Sequence, residues 1–249
     1  MQKTFTEQFI VRGGECDMYR RMRLDAIFMA MQEGGERHAK LLGLGHDAML
    51  SKKLFFVLSR THVCINRMPR CGERVVHTTW PGVSNRFFCP RFHTLTLEDG
   101  TPLLSAGALW VLLDIENRKI VSPLKADLIF PDNSDIAEPV SLPNRVPKPY
   151  PDTSVSSRTP MFSEFDLNGH VNNTRYTAWI CDALGAEKLR NAFISDLIVS
   201  YENEIRTDAS LSLELACNDG AFSFEVLSSD GLRHFFAAGE LKKEEAVHE

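Results

Sequence analysis

Residues 162–179 read Phe162-Ser163-Glu164-Phe165-Asp166-Leu167-Asn168-Gly169-His170-Val171-Asn172-Asn173-Thr174-Arg175-Tyr176-Thr177-Ala178-Trp179. Asp166, Asn168 and His170 occupy alternate positions, which share one face of an extended strand. The spacing predicts an acid, an amide and an imidazole on that face, with Leu167 and Gly169 turned away. Either Asn172 or Asn173 then caps a helix whose stripe is Tyr176, Trp179 and Ile180. A helix N-terminus offers unpaired N–H groups to developing negative charge, so catalytic groups and oxyanion donors converge here. The competing reading is a plain polar turn, since Asp, Asn and Gly are also turn residues.

Upstream, seven of the twelve prolines lie between Pro131 and Pro160. Proline neither continues a helix nor donates to a ladder, so 132–157 reads as an extended linker between an N-terminal half, 1–131, and a C-terminal half, 158–249. Each half shows the same order of elements. In the first, a helix from Asp25 to about Leu42 precedes strands at 55–66, 74–80, 87–97 and 103–113. In the second, a helix from about Asn173 to Arg190 precedes strands near 197–205, 210–216, 221–227 and 233–242, with Asn218-Asp219-Gly220 and Ser229-Asp230-Gly231 as hairpin turns. Residue echoes support a duplication. Ser105-Ala-Gly-Ala-Leu-Trp110 matches Ala237-Ala-Gly-Glu-Leu-Lys242, Asp17 falls where Asp166 falls, Arg21 where His170 falls and Met68 where Glu204 falls. The first half is thus a scaffold and the second carries the chemistry. A long helix wrapped by an antiparallel sheet, twice over, gives an α+β tandem (double) hotdog.

The chain has 249 residues, 43% hydrophobic and 24% charged, with a formal charge of −5. That balance gives no general attraction to nucleic acid or anionic lipid. No apolar run approaches the ~20 residues of a membrane span, and the start has no signal-like apolar core, so a cytoplasmic protein is expected. The six cysteines are scattered without a C-x-x-C pair, and His38, His46, His62, His77 and His93 form no ligand pattern. Free thiols are expected, with no metal and no cofactor.

The string Asp166-Leu-Asn-Gly-His-Val-Asn-Asn-Thr-Arg-Tyr176 resembles the D-x-N-x-H-x-N-N-x-x-Y signature of the acyl-acyl carrier protein (acyl-ACP) thioesterases, bacterial type, related to the plant plastid fatty-acyl-ACP thioesterases. Ser59-Arg-Thr-His-Val-Cys-Ile-Asn-Arg-Met-Pro69, Thr79-Trp-Pro81 and Trp110-Val-Leu-Leu-Asp114 ahead of Arg118-Lys-Ile120 extend the likeness over nearly the whole chain. The resemblance implies hydrolysis of fatty acyl-ACP to free fatty acid and holo-ACP, which ends chain elongation, with an acyl-chain pocket in the first half. The family's later Glu-Cys pair aligns with Glu204-Ile205. Isoleucine has no nucleophilic atom, so a cysteine mechanism is excluded at that position and a carboxylate mechanism is implied. The implied catalytic residues are Asp166, Asn168, His170 and Glu204. Either carboxylate activates water or attacks the thioester, His170 orients the water or reacting carboxylate or donates to developing charge, and Asn168 holds the carbonyl or the water while the amides near Asn172 and Asn173 stabilise the oxyanion.

The implied partner is an acyl carrier protein, acidic, with docking candidates at Arg20, Arg21 and Arg23 and at Arg145 with Lys148; a monomer or homodimer both fit. Gly34-Gly35 in the first helix stands either for close packing, the preferred reading, or for room for an acyl tail beside Phe28, Met29 and Met31. The competing functions are an acyl-coenzyme A thioesterase and a non-enzymatic acyl-pantetheine binding module.

Overall fold

The computed structural model describes residues 1–143, 150, 153–206 and 209–244. The first half contains β1 (Phe5–Ile10), α1 (Leu24–Leu41), α2 (His46–Ser51), β2 (Leu54–Ile65), β3 (Arg74–Pro81), β4 (Cys89–Leu97), β5 (Pro102–Asp114) and a short β6 (Ile120–Val121). The second contains β7 (Ser154–Arg158), α3 (Arg175–Leu184), α4 (Ala186–Leu189), β8 (Ala192–Tyr201), β9 (Leu211–Asn218), β10 (Ala221–Ser228) and β11 (Arg233–Lys243).

The strands form one antiparallel sheet in the order β1-β3-β4-β5-β2-β8-β11-β10-β9-β7, with β6 beside β5. Outward from the centre, β2-β5-β4-β3-β1 mirrors β8-β11-β10-β9-β7, which is the duplication expected of a tandem hotdog. The halves join where Arg60–Cys64 of β2 pairs with Ser200–Asp196 of β8. Turn chemistry fixes the register locally. Between β9 and β10 the two loop residues Asp219 and Gly220 both have positive φ, 45° and 87°, the hairpin geometry that suits the right-handed twist of the flanking strands.

The echo of Gly107 and Gly239 also has a packing cause. Gly107 pairs with Phe92 and Gly239 with Phe222, and a Cβ added at either glycine would meet that ring at 3.3 and 2.8 Å. Both rings are fully buried across a glycine that leaves room for them.

Helix α1 carries Asp25 in its first turn and His38 and Lys40 in its last, complementing the helix dipole. It buries Leu24, Ile27, Phe28, Met31, Gly34, Gly35 and His38. A Cβ on Gly34 would lie 2.4 Å from the His77 ring, so this glycine serves close packing of helix on sheet. Ile27 and Met31 of α1, Trp179 and Ile180 of α3, and Val63, Leu104, Leu197 and Phe235 of the strands share one core that spans both halves. Among the described residues, no helix is long and apolar enough to cross a membrane.

The elements differ from the sequence expectation in several places, α2 and β6 being additional short ones. The second-half helix is broken at Gly185 (φ 82°), whose amide closes on the Cys181 carbonyl, so 173–190 is not continuous. Strand β8 begins at Ala192 and stops at Tyr201, because Glu202 and Asn203 both turn their amides to the His234 carbonyl; Glu204 thus lies past the strand. The edge strands β1 and β7 are additional. Strand β7 occupies the end of the proline-rich segment and is almost wholly exposed, which left no apolar alternation to mark it. The docking candidates Arg145 and Lys148 lie outside the described residues.

Candidate active site

Asp166, Asn168 and His170 do not alternate along a strand; they sit in a tight turn between Phe165 and Val171, which bridge to each other. Asp166 donates its amide to the His170 carbonyl (2.9 Å), and its Oδ1 accepts the amides of Asn168 (2.8 Å) and, at the limit of bonding, His170 (3.5 Å). Such a side-chain turn is what aspartate offers the backbone, and Gly169 takes the left-handed position with φ 72°. The competing turn reading therefore holds for the local backbone.

The turn nonetheless converges on a second segment. Val171 donates its amide to the Ile205 carbonyl (2.9 Å), which draws the 202–206 loop alongside. His170 Nε2 then lies 3.2 Å from Glu204 Oε2, and the same oxygen faces Arg118 at 3.5 Å and Arg206 at 3.7 Å. Arg118 comes from the β5–β6 turn, so the first half contributes a cation to a second-half site. Its signal in the sequence was the Arg118-Lys-Ile match alone. Asn168 is exposed, and no described hydrogen bond joins its side chain to His170 or Glu204.

Glu164, missed by sequence reasoning, anchors the turn from beneath. Its buried carboxylate accepts the Met161 amide and the Trp179 indole N–H, each at 2.7 Å, and pairs with Arg158, whose guanidinium also lies over the Trp179 ring. Burial alone would raise this carboxyl; those three donors hold it below its ordinary range. The signal was present as Met161-Phe-Ser-Glu164, a three-residue reach back to an amide. The helix is N-capped by Thr174 without a side-chain cap bond, not by Asn172 or Asn173 as expected; Asn172 instead closes a side-chain turn just before it, accepting the Thr174 amide at 3.0 Å, while its own amide is committed to the Glu164 carbonyl. Of the amides expected to serve an oxyanion near Asn172 and Asn173, that of Asn172 is thus spent. Behind the site, burial together with the charges of Asp166 and Glu204 raises the Tyr176 hydroxyl well above its usual pKa.

The first half repeats this turn bond for bond. Asp17 donates its amide to Arg21 O (2.7 Å), its Oδ1 accepts the amides of Tyr19 and Arg21 (both 2.9 Å), and Arg20 (φ 64°) stands where Gly169 stands. There Arg21, 2% exposed, replaces the histidine and pairs with Asp17 and Glu244, while Met68 replaces Glu204. A cavity of 420 Å³ lies at this first-half turn, bordered by Asp17, Arg21 and Met68. Its lining lacks a histidine–glutamate pair like the one formed by His170 and Glu204 at the other turn. Arg21 is consumed in buried bonds, which removes it from the docking candidates. Among the described residues, the group able to supply three metal-type ligands lies elsewhere, at His62, Cys64 and Asp196.

Residues 2–129 match the family model described as the acyl-ACP thioesterase N-terminal domain, and residues 148–235 match the acyl-ACP thioesterase C-terminal domain. A chloroplastic acyl-acyl-carrier-protein hydrolase of Cuphea viscosissima is 25% identical over 220 residues, 84% of this chain and 53% of that protein. A chloroplastic dodecanoyl-acyl-carrier-protein hydrolase of Cinnamomum camphora is 27% identical, over 83% of this chain and 58% of its own. The chain thus spans about half the length of the curated relatives it matches. In architecture it is similar to an acyl-ACP thioesterase of Bacteroides thetaiotaomicron (TM-score 0.86, 22% identity, 96% of this chain and 98% of that one). The 12:0-ACP thioesterase of Umbellularia californica gives a TM-score of 0.82 at 24% identity, covering 97% and 98%. At these identities the two structures establish the tandem hotdog fold.

Proposed function

Since the chain belongs to the acyl-ACP thioesterase family, we propose that it hydrolyses fatty acyl-ACP thioesters to free fatty acid and holo-ACP at the second-half turn. The observation that carries this is the 3.2 Å contact of His170 Nε2 with Glu204 Oε2 at the start of α3. The described ion pairs of Glu204 with His170, Arg118 and Arg206 engage Oε2, and Oε1 is assigned to a water. Glu204 takes a proton from that water as its oxygen bonds to the thioester carbonyl carbon. The carbonyl becomes an oxyanion held by Asn168 and the amide of Asn173, and collapse of the adduct breaks the C–S bond. The pantetheine thiolate leaves with the proton that Glu204 had taken, relayed by His170. Asp166 is assigned to hold the turn rather than to react, because its carboxylate is bonded to the backbone.

Carrier-protein docking is supported by apolar side chains that surround the turn without a cover: Met161, Phe162 and Leu167 are all exposed, the last two almost completely. The sheet pairing that hotdog subunits obtain by association is made here within one chain, so the active unit is a monomer or a homodimer, and it works in the cytoplasm. The test is steady-state thiol release from a panel of medium- and long-chain acyl-ACP and acyl-coenzyme A substrates. Turnover favouring the carrier-linked substrates supports the proposal. Turnover on coenzyme A thioesters alone assigns a coenzyme A hydrolase, and tight binding without turnover assigns a binding module.

A further inference from the structure

At the joint between the halves, His62 and Cys64 alternate on β2 and so share a face, and Asp196 of β8 lies directly across from Cys64. The core residues Val63 and Ile65 occupy the opposite face, so this trio looks away from the helices and from the His170–Glu204 pair. Its three inward atoms form a triangle: His62 Nε2 to Asp196 Oδ2 is 3.0 Å, Cys64 Sγ to Asp196 Oδ2 is 3.2 Å, and Cys64 Sγ to His62 Nε2 is 3.4 Å.

The proton inventory of this triangle is short. His62 Nδ1 lies 2.8 Å from the backbone carbonyl of Ser141, which can only accept, so Nδ1 carries a hydrogen. Nε2 then points at a carboxylate oxygen and a sulfur, and the hydrogen it shares with Asp196 is the one a bound cation displaces. A metal-bound histidine is oriented in the same way, with its outer N–H on a backbone carbonyl and its inner nitrogen on the cation.

We propose that His62 Nε2, Cys64 Sγ and Asp196 Oδ2 bind one zinc-class divalent cation that clamps the two halves and the Ser141 segment together. Zinc bonds of about 2.3 Å to sulfur, about 2.0 Å to nitrogen and about 2.1 Å to oxygen require tetrahedral edges of about 3.4–3.6 Å. The observed edges need to open by only about 0.1–0.4 Å, within side-chain rotation. Thiolate, imidazole and carboxylate together suit zinc or cobalt and not calcium or magnesium, which prefer oxygen alone. Binding releases the thiol proton and the one shared by His62 and Asp196, and the half-exposed Asp196 side leaves a fourth position for water. The sequence concealed the set because its third member lies 132 residues from the second.

The experiment is titration of the chelator-stripped full chain with cobalt(II), followed by thiolate-to-cobalt charge-transfer absorption and by the thermal midpoint. One equivalent is expected to bind, to develop that absorption and to raise the midpoint. Cys64→Ser is expected to abolish the charge-transfer band, and Asp196→Asn to weaken binding by more than about 10-fold. Cys16→Ser, at a distant cysteine, is expected to leave both readouts unchanged. Circular dichroism of the stripped variants separates loss of binding from loss of folding. Absence of stoichiometric binding to the folded wild type, or a band that persists in Cys64→Ser, overturns the proposal and leaves a proton-held triad.

Discussion

The adjacent glycines of α1 should respond oppositely to the same substitution. In a helix interior alanine is favoured over glycine by about 1 kcal/mol, so helix propensity alone makes Gly34→Ala and Gly35→Ala both stabilising. At position 34 the new Cβ would stand 2.4 and 2.5 Å from His77 ring atoms and 2.6 Å from Glu7 Oε1, where ordinary contact begins at 3.4 Å. His77 has nowhere to retreat. It is fully buried, its Nδ1 meets Glu7 at 3.2 Å, its Nε2 meets His93 at 3.0 Å, and it stacks on His93 at 5.3 Å. Overpacking costs about 1–3 kcal/mol and a disrupted buried polar contact about 1–3 kcal/mol more, so after the helix-propensity gain Gly34→Ala should be destabilised by a net of about 1–5 kcal/mol. At position 35 the nearest atom is Arg91 Cδ at 3.3 Å, on a side chain that can yield a few tenths of an ångström. Gly35→Ala should therefore range from neutral to about 1 kcal/mol more stable. Urea unfolding of the three proteins, with unchanged slope, reads the difference as a shift in midpoint. Equal stability of the two variants would refute the packing account and restore the reading of this glycine pair as room for an acyl tail.

Stability should fall as the pH drops from 7 to 5. Burial pushes His93 well below, and His38 below, the ordinary histidine pKa, so their protons bind preferentially to the unfolded chain and the loss begins beneath about 6.5, at up to about 1.4 kcal/mol per pH unit for each. His62, raised by Asp196 against its own burial, contributes in the opposite sense and is lost as pH rises, so it only partly offsets the other two; a flat urea midpoint across this window would contradict the assignment. Glu164→Gln retains an acceptor for the Trp179 indole but loses the charge facing Arg158, and should lower stability by about 1–3 kcal/mol in urea unfolding. Asp166→Asn keeps an oxygen for the Asn168 amide and should preserve most turnover, whereas Asp166→Ala removes it and should not; equal loss in both would make Asp166 a reacting carboxylate.

Much of the duplication was legible because the turn residues and the glycines of paired strands obey local rules. Asp17 and Asp166 make the same side-chain turn, and Arg20 with Gly169 takes the same backbone sign. The strand alternation assigned to Asp166, Asn168 and His170 failed because a short-range bond from Asp166 outweighed pattern, and pattern over five residues cannot distinguish the two. Glu204 was placed through family register, and the structure brings it to His170 by a single backbone bond from Val171 to Ile205. Arg118 and the His62–Cys64–Asp196 trio could not be found by spacing, since each depends on contact between the two halves. Glu164 was readable as a reach-back acceptor but lies outside the alternation that drew attention to the segment.

Comparison of acyl-ACP turnover in Glu204→Gln with that in Asp17→Asn, at matched folded fraction, most directly tests the claim that the second-half turn performs hydrolysis while its twin is scaffold. Loss of at least about 100-fold in kcat for Glu204→Gln, with near wild-type kcat for Asp17→Asn, is the predicted result. Undiminished turnover in Glu204→Gln, or an equal loss in the two variants, would contradict it.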